Sequence, residues 1–197
     1  MVRALLAGTK TQTRRVLRVQ PHEDLAATVH YDRPTGGAMW GSIHGDHGVA
    51  CPFGRSGDRL WVRENGWERR GASGTFEPYY YDATETESGQ AYLREHAHRF
   101  RRRPSIHMPR WACRLVLEVT GVRVERLQGI SFTDAKAEGF EPRYDLTELE
   151  EVHRDAARDW YMDLWDSLNA KRGYSWSLNP WVWVVEFRRV EQVKAAA

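Results

Sequence analysis

The chain has 197 residues, of which 41% are hydrophobic, 12% aromatic and 28% charged. This composition is typical of a globular protein and excludes a disordered tail or a collagen-like chain. No stretch approaches the roughly 20 apolar residues of a membrane span, and the apolar part of the N-terminal segment is too short for a signal peptide. Two cysteines, Cys51 and Cys113, cannot form a disulfide framework. We therefore expect one cytoplasmic domain that has no membrane partner.

The net charge of +2 conceals a bias among the basic residues. Of 29 basic side chains, only Lys10, Lys136, Lys171 and Lys194 are lysines. Arginine presents a planar fork of donors and stacks on rings, so its abundance favours recognition of carboxylate, phosphate or a nucleobase. A GC-rich genome produces the same bias, and the modest net charge argues against a large nucleic-acid surface.

In chain order, the first predicted element is a short helix over residues 1–8, which Gly8 ends. Residues 20–57 are rich in Gly, His and Asp and predict a long loop. A turn followed by a strand is expected over residues 57–64. Residues 66–104 are polar, with one strand expected over 77–83.

The second half of the chain has clearer periodicity. Residues 112–127 alternate Val and Leu with Arg and Glu, which predicts a strand. A short helix is expected over 131–139, a longer one over 146–172, and a last strand over 179–190. This order predicts a small α+β domain with a curled sheet or barrel, flanking helices and long inserted loops.

The densest run of chemistry-bearing residues extends from Gly8 to Arg15, with the sequence GTKTQTRR. A threonine hydroxyl becomes nucleophilic when a base removes its proton, and a neutral lysine amine can be that base. Lowering a lysine pKa from about 10.4 to about 7.5 costs the charged form roughly 4 kcal/mol. Burial and the charges of Arg14 and Arg15 are the available causes. Spacing alone favours the simpler interpretation, an ordinary helix end with solvated basic residues.

Two glutamates are candidates for acid–base chemistry. Glu138 precedes Gly139 at the end of the short predicted helix, where a carboxylate can donate or accept a proton. Glu64 follows Arg63 at the end of the strand. It is either an active-site carboxylate or a member of an ordinary ion pair. For Glu138 too, a surface position is the commoner case.

Three further groups have both a functional and a plain interpretation. The cluster His44, Asp46, His47 and Cys51 matches no standard zinc spacing, so we expect a polar loop and no metal. Three residues that lie just before the 112–127 strand are His107, Arg110 and Trp111. They could form the rim of a pocket, with the tryptophan stacking on a ring of the ligand. Alternatively, the tryptophan belongs to the core. The run Arg99–Arg103 fits phosphate contacts or a solvated face.

The run Gly8–Arg15 resembles the pattern G-x-K-x-x-T-x-R of ASCH domains, which belong to the PUA-like superfamily. Gly57-Asp58 and the segments 134–139 and 183–187 resemble the later motifs of that family, in the same order. The longer layout is similar to ASCH proteins of bacteriophages and metagenomes. The resemblance implies a single PUA-like domain over residues 1–197. Its insertions, at about 20–56 and 66–105, have no counterpart in the smallest members.

One group of ASCH proteins comprises the N4-acetylcytidine amidohydrolases, whose catalytic lysine, threonine and glutamate fall on Lys10, Thr13 and Glu138. The resemblance implies that the chain removes acyl groups from the exocyclic N4 of cytosine nucleosides, without metal or cofactor. Residues expected to bind the substrate are Arg15, Arg63, Glu64, Trp67, His107 and Trp111. Other ASCH proteins bind RNA or are described as ribonucleases, and this is the alternative function, with RNA as partner.

Overall fold

A computed structural model describes the chain over residues 1–20, 28–31, 38–41, 49–70, 79–142 and 150–190. It is an α+β fold with a curled antiparallel sheet and flanking helices, which confirms the expected class. The chain forms two compact units. The first consists mainly of Arg3–Arg59 and Glu118–Arg188, and the second mainly of Leu60–Leu117.

The described residues contain four α-helices and ten strands. Helices α1 to α4 are Val2–Ala7, Glu87–Glu95, Phe132–Glu138 and Glu150–Asn169. Strands β1 to β10 are Gln12–Val16, Thr28–Tyr31, Ala38–Gly41, Val49–Ala50, Arg59–Trp61, Gly66–Arg69, Tyr79–Tyr81, Phe100–Arg103, Val116–Arg126 and Trp181–Val190. No helix in these ranges is long and apolar enough to cross a membrane.

The main sheet has the strand order β1-β10-β9-β5. Strand β1 lies at its edge, antiparallel to β10, with Thr13 opposite Val185 and Arg14 opposite Val184. One core of the first unit forms where β10 meets α4. Its buried members are Leu127, Tyr161, Trp165, Trp176, Val182 and Val184. Strand β1 contacts α3, and its Val16 packs against this core.

The local signals of the second half of the chain agree with the structure. The Ser131 hydroxyl accepts from the Asp134 N–H, and the Asp134 carboxylate accepts from the Ser131 N–H, which caps α3. Strand β9 begins at Val116, later than the expected 112. The N–H groups of Ala112 and Cys113 donate to a preceding 3-10 turn, so they are not free for a strand ladder.

The two segments expected as inserted loops also contain regular structure. Strands β2, β3 and β4 form an antiparallel sheet within 20–56. Strands β7, β6 and β8 form another in the second unit, with Trp67, Leu93 and Phe100 in one core. The sequence did not predict β8, because three of its four residues are arginines. Only Phe100 is buried, and β8 lies at the edge of its sheet, where charged side chains are tolerated.

Candidate active site

The turn from α1 into β1 positions Lys10. Helix α1 ends at Gly8, whose φ of 77° is in the left-handed region that favours glycine. The N–H groups of Thr9 and Lys10 then donate to the Ala4 carbonyl at 3.0 and 3.2 Å. The Thr11 N–H donates to the Ala137 carbonyl of α3 at 2.8 Å. These bonds bring the start of β1 to the C-terminal end of α3.

Glu138, the last residue of α3, lies at this junction. The Lys10 ammonium donates to the Glu138 carboxylate at 2.5 Å from Nζ to Oε2, and to the Glu138 carbonyl at 2.9 Å. Their side chains are only 7% and 4% exposed. Gly139 follows with φ 106°, so the chain leaves α3 through a conformation that other residues rarely adopt. Residues 128 positions apart thus form a buried ion pair.

The surroundings of Lys10 shift its pKa downward. Burial lowers the pKa of Lys10, because the charged form loses its hydration. The Glu138 carboxylate raises that pKa, and the positive charges of Arg15 and Arg14 lower it. The net direction is downward from the ordinary value of 10.5. Both causes named in the sequence analysis, burial and the neighbouring arginines, therefore operate at Lys10.

Arg14 lies beneath the pair and holds α3 in place. Its side chain is fully buried, and Nη2 lies 3.1 Å from both Glu125 Oε2 and Asp134 Oδ2. Its Nη1 lies 3.8 Å from Glu138 Oε1. Arg14 therefore links the helix that carries Glu138 to β1 and β9. Sequence reasoning assigned it only an effect on Lys10.

Tyr161, on α4, contacts the other carboxylate oxygen and was not selected from the sequence. Its hydroxyl donates to Glu138 Oε1 at 3.4 Å, and the residue is 3% exposed. Burial and the Glu138 charge raise the pKa of Tyr161 above its ordinary value, so the hydroxyl keeps its proton as a donor. The available signal was a single phenol between Ala157 and Trp165 on the buried stripe of α4.

These groups line a cavity of about 360 Å³ in the first unit. Its polar lining contains Lys10, Thr13, Arg14, Arg15, Glu138, Tyr161, Asn169 and Arg172. Its apolar lining contains Met1, Ala4, Trp160, Leu164, Trp165 and Leu168. The structure therefore brings the three catalytic candidates and Arg15 to one cavity.

Thr13 differs from the other two catalytic candidates in having no partner. It is half-buried in β1, and the described residues offer its hydroxyl no hydrogen bond, including from Lys10 or Glu138. Along β1, Thr13 and Arg15 alternate with the buried Gln12 and Arg14. Thr13 thus lines the cavity with an unpaired hydroxyl.

The remaining predicted binding residues lie in the second unit. Glu64 is buried and accepts two bonds from Arg114, at 2.9 Å from Nε and 2.7 Å from Nη2. The Arg114 guanidinium lies 3.7 Å from the centre of the Tyr81 ring. Trp67 is buried in the core of this unit. Glu64 and Trp67 therefore have structural contacts there.

Arg63, His107 and Trp111 lie at the surface of the second unit. The Arg63 guanidinium lies 4.8 Å from the centre of the Trp61 ring and donates to the Ile106 carbonyl at 3.4 Å. Trp111 is 37% exposed and meets the Tyr79 ring edge-on, with 6.1 Å between centroids. Their role in substrate binding stays a prediction.

Most of the residues that we considered as metal ligands lie outside the described residues. His44, Asp46 and His47 are not among them, whereas Cys51 is a free, partly exposed thiol whose pKa burial raises. Within the described ranges, no three His, Cys, Asp or Glu side chains are grouped to hold a metal ion.

Comparison with protein-family models, curated proteins and solved structures found no match for this chain. The ASCH resemblance therefore rests on the motifs quoted above. What the site can do chemically follows from the geometry of Lys10, Glu138 and the residues around them.

Proposed function

We propose that this chain hydrolyses the amide of an N4-acylated cytosine nucleoside, releasing the nucleoside and a carboxylate. The observation that carries the proposal is the buried pair of Lys10 and Glu138 in the cavity lining, with 2.5 Å between Nζ and Oε2. The reaction type follows from a low-pKa amine next to a carboxyl group. The choice of substrate rests on the resemblance of residues 8–15 and 134–139 to the amidohydrolase motifs.

The proton between Lys10 and Glu138 has two arrangements. When it resides on the carboxyl group, Lys10 is a neutral amine that can act as a base, and Glu138 is a general acid. Burial makes the ion pair costly, because two charges lose hydration, and it lowers the pKa of Lys10. The short contact lets the proton cross between the two groups without solvent.

In the first route, Thr13 is the nucleophile. Lys10 accepts the hydroxyl proton as Thr13 Oγ1 bonds to the acyl carbon, and Glu138 gives its proton to N4 as the C–N bond breaks. Water then attacks the Thr13 ester and loses a proton to Glu138. Lys10 returns its proton to Thr13 Oγ1 as the C–O bond breaks, which restores all three groups and releases the acid.

In the second route, water attacks the acyl carbon directly. Lys10 accepts the proton of the water, Glu138 protonates N4, and Thr13 orients the water through its hydroxyl. Both routes develop negative charge on the acyl oxygen. Arg14 is a buried cation on this side of the cavity: its Nη1 lies 3.8 Å from Glu138 Oε1 and makes no hydrogen bond within the described residues. One such donor is commonly worth about 3 kcal/mol.

The test is hydrolysis of N4-acetylcytidine by the purified chain, followed as cytidine by chromatography. We expect Lys10→Met, Thr13→Ala and Glu138→Gln each to lower kcat by orders of magnitude. Matched controls outside the cavity lining are Lys171→Met, Thr120→Ala and Glu118→Gln, which should keep wild-type rates. An acetyl group trapped on the Thr13 peptide, detected by mass spectrometry, identifies the first route.

Folded wild-type protein that releases no cytidine from several N4-acyl substrates would overturn the proposal. Full activity of Lys10→Met or Glu138→Gln would equally overturn the assigned roles. Circular dichroism of each variant separates loss of chemistry from loss of fold.

A further inference from the structure

The outer part of the cavity lining carries two arginines without partners. Arg15 lies on β1, and Arg172 lies in the 3-10 turn Ala170–Arg172 that follows α4. Both are exposed, and within the described ranges neither guanidinium makes a hydrogen bond or an ion pair. Arg14, in contrast, is paired with Glu125 and Asp134. Two unpaired guanidiniums at one cavity are a binding position for an anion.

The part of the lining that the structure describes contains no free carboxylate to pair with these cations. Among the described residues of the cavity lining, Glu138 is the one acidic side chain, and Lys10 already binds its carboxylate at 2.5 Å. Apart from this pair and Arg14, the charged lining residues are Arg15 and Arg172. The cavity therefore has a positive excess on its exposed side.

The burial of the lining residues gives the direction in which a substrate enters. Lys10 and Glu138 are 7% and 4% exposed, so the amide to be cleaved must reach the buried side. In an N4-acylated cytidine, the ribose lies at the opposite end of the base from N4. A bound nucleoside therefore directs its ribose toward the exposed side, where Arg15 and Arg172 lie.

We infer that Arg15 and Arg172 bind a phosphate group on that ribose, so that the substrate is a nucleotide or the end of an oligonucleotide. This inference rests on the proposed function for the orientation of the base. Arginine suits this role because its fork of N–H donors matches two phosphate oxygens. The apolar residues Trp160 and Leu164 line the same cavity and offer contact area for the flat base.

The test compares N4-acetylcytidine with its 5′-monophosphate and its 3′-monophosphate, at low salt. We expect kcat/KM to be about tenfold or more higher for one of the monophosphates than for the nucleoside. Arg172→Ala should bring that ratio close to one, and Arg172→Lys should restore part of it. Lys171→Ala is the matched control, since Lys171 is a neighbouring exposed cation outside the cavity lining. A short acetylated oligonucleotide distinguishes free nucleotides from RNA ends.

Binding of cytidine and cytidine monophosphates, measured by calorimetry, gives a readout independent of turnover. Tighter binding of a monophosphate that is lost in Arg172→Ala supports the inference. Equal affinity for nucleoside and nucleotides overturns it, as does a phosphate preference that Arg172→Ala leaves unchanged. Hydrolysis of the nucleoside without phosphate preference overturns only this inference, whereas phosphate-dependent binding without hydrolysis overturns only the proposed function.

Discussion

At the scale of single residues, the site is a carboxylate held from three sides. Glu138 accepts from Lys10 at Oε2 and from Tyr161 at Oε1, and Arg14 lies 3.8 Å from Oε1. Each neighbour restricts the carboxylate to one orientation. Because proton transfer requires hydrogen-bond geometry, this restriction prepares Glu138 for exchange with Lys10. The pair is therefore defined by its buried neighbours as much as by its own residue types.

Changing Tyr161 to Phe removes one of these contacts without changing the ring. We expect Tyr161→Phe to lower kcat by about tenfold with little change in KM, because Glu138 loses the donor that orients it. The measurement is steady-state kinetics on N4-acetylcytidine. Tyr174→Phe is the matched control, since the Tyr174 hydroxyl makes no hydrogen bond within the described ranges and the residue is outside the cavity lining. Unchanged kinetics for Tyr161→Phe would show that this contact has no part in the reaction.

The lowered pKa of Lys10 has a direct consequence for pH dependence. In the proposed reaction Lys10 is neutral while Glu138 carries a proton, so the active pair holds one proton. We expect kcat/KM to fall as the pair loses that proton, with an alkaline midpoint below pH 10.5. The Arg15 charge lowers this pKa. Arg15→Gln should therefore move the midpoint to higher pH. A midpoint that moves to lower pH, or none below pH 10.5, would contradict the assignment of Lys10 as the base.

At the scale of elements, α3 is the short helix that presents Glu138, and an ion network fixes its first turn. Asp134 accepts from Ser131 within the capping box, and its carboxylate pairs with Arg14 at 3.1 Å and Arg123 at 2.8 Å. Burial pushes the pKa of Asp134 upward, but the Ser131 hydrogen bonds and the two guanidiniums prevail and lower it from 3.8 to about 2. The helix is thus anchored by charge at its start and by Gly139 at its end.

This anchoring predicts a pH-dependent loss of stability in Asp134→Asn. A carboxylate with a lowered pKa stabilises the fold above its unfolded pKa, and this contribution disappears as the pH falls through the folded value. We expect Asp134→Asn to lower the free energy of unfolding at pH 7 by about 2 kcal/mol, with the difference narrowing between about pH 3.8 and pH 2. Urea unfolding at several pH values measures it. Asp163→Asn, at an exposed position of α4, is the control; an equal loss at pH 7 and pH 2 would contradict the electrostatic cause.

At the scale of the whole molecule, the arginines are numerous but mostly balanced. The net charge is only +2 despite 29 basic residues. Several arginines pair with carboxylates, among them Arg102 with Asp82, Arg103 with Glu68 and Arg188 with Glu118. Affinity for polynucleotides depends on unpaired positive charge that releases counterions from phosphates. The chain therefore has little net positive charge for an extended RNA surface.

This balance predicts weak binding to single-stranded RNA with only a modest dependence on salt. With about two phosphate contacts, the plot of log affinity against log salt should have a slope no steeper than about −1.5. Fluorescence anisotropy of a labelled RNA, measured between low and physiological salt, provides the slope. A slope of about −5 would reveal an extended phosphate interface and favour the RNA-binding alternative.

The sequence by itself determined the elements that depend on neighbouring residues. The capped helix α3, the end of α1 at Gly8 and the strand beginning after Pro180 follow from caps, glycines and periodicity within a few positions. The α+β class follows from their order. The edge strand β8 could not be predicted in this way. Arginine has no local preference for a strand there and is only tolerated at an exposed edge.

Only the tertiary structure decided which residues meet. The resemblance to ASCH motifs implied that Lys10 and Glu138 act together. Their contact, however, depends on the hydrogen bonds from the α1–β1 turn to Ala4 and Ala137. It also separated Arg14, buried beneath the pair, from its neighbour Arg15, exposed at the cavity, because successive side chains of a strand point to opposite faces. The pattern of α4 marks Tyr161 as buried, but only the packing of α4 brings its hydroxyl to Glu138. The physical reason is common to all three: burial and contact are properties of elements packed together, whereas sequence patterns report only what each element prefers alone.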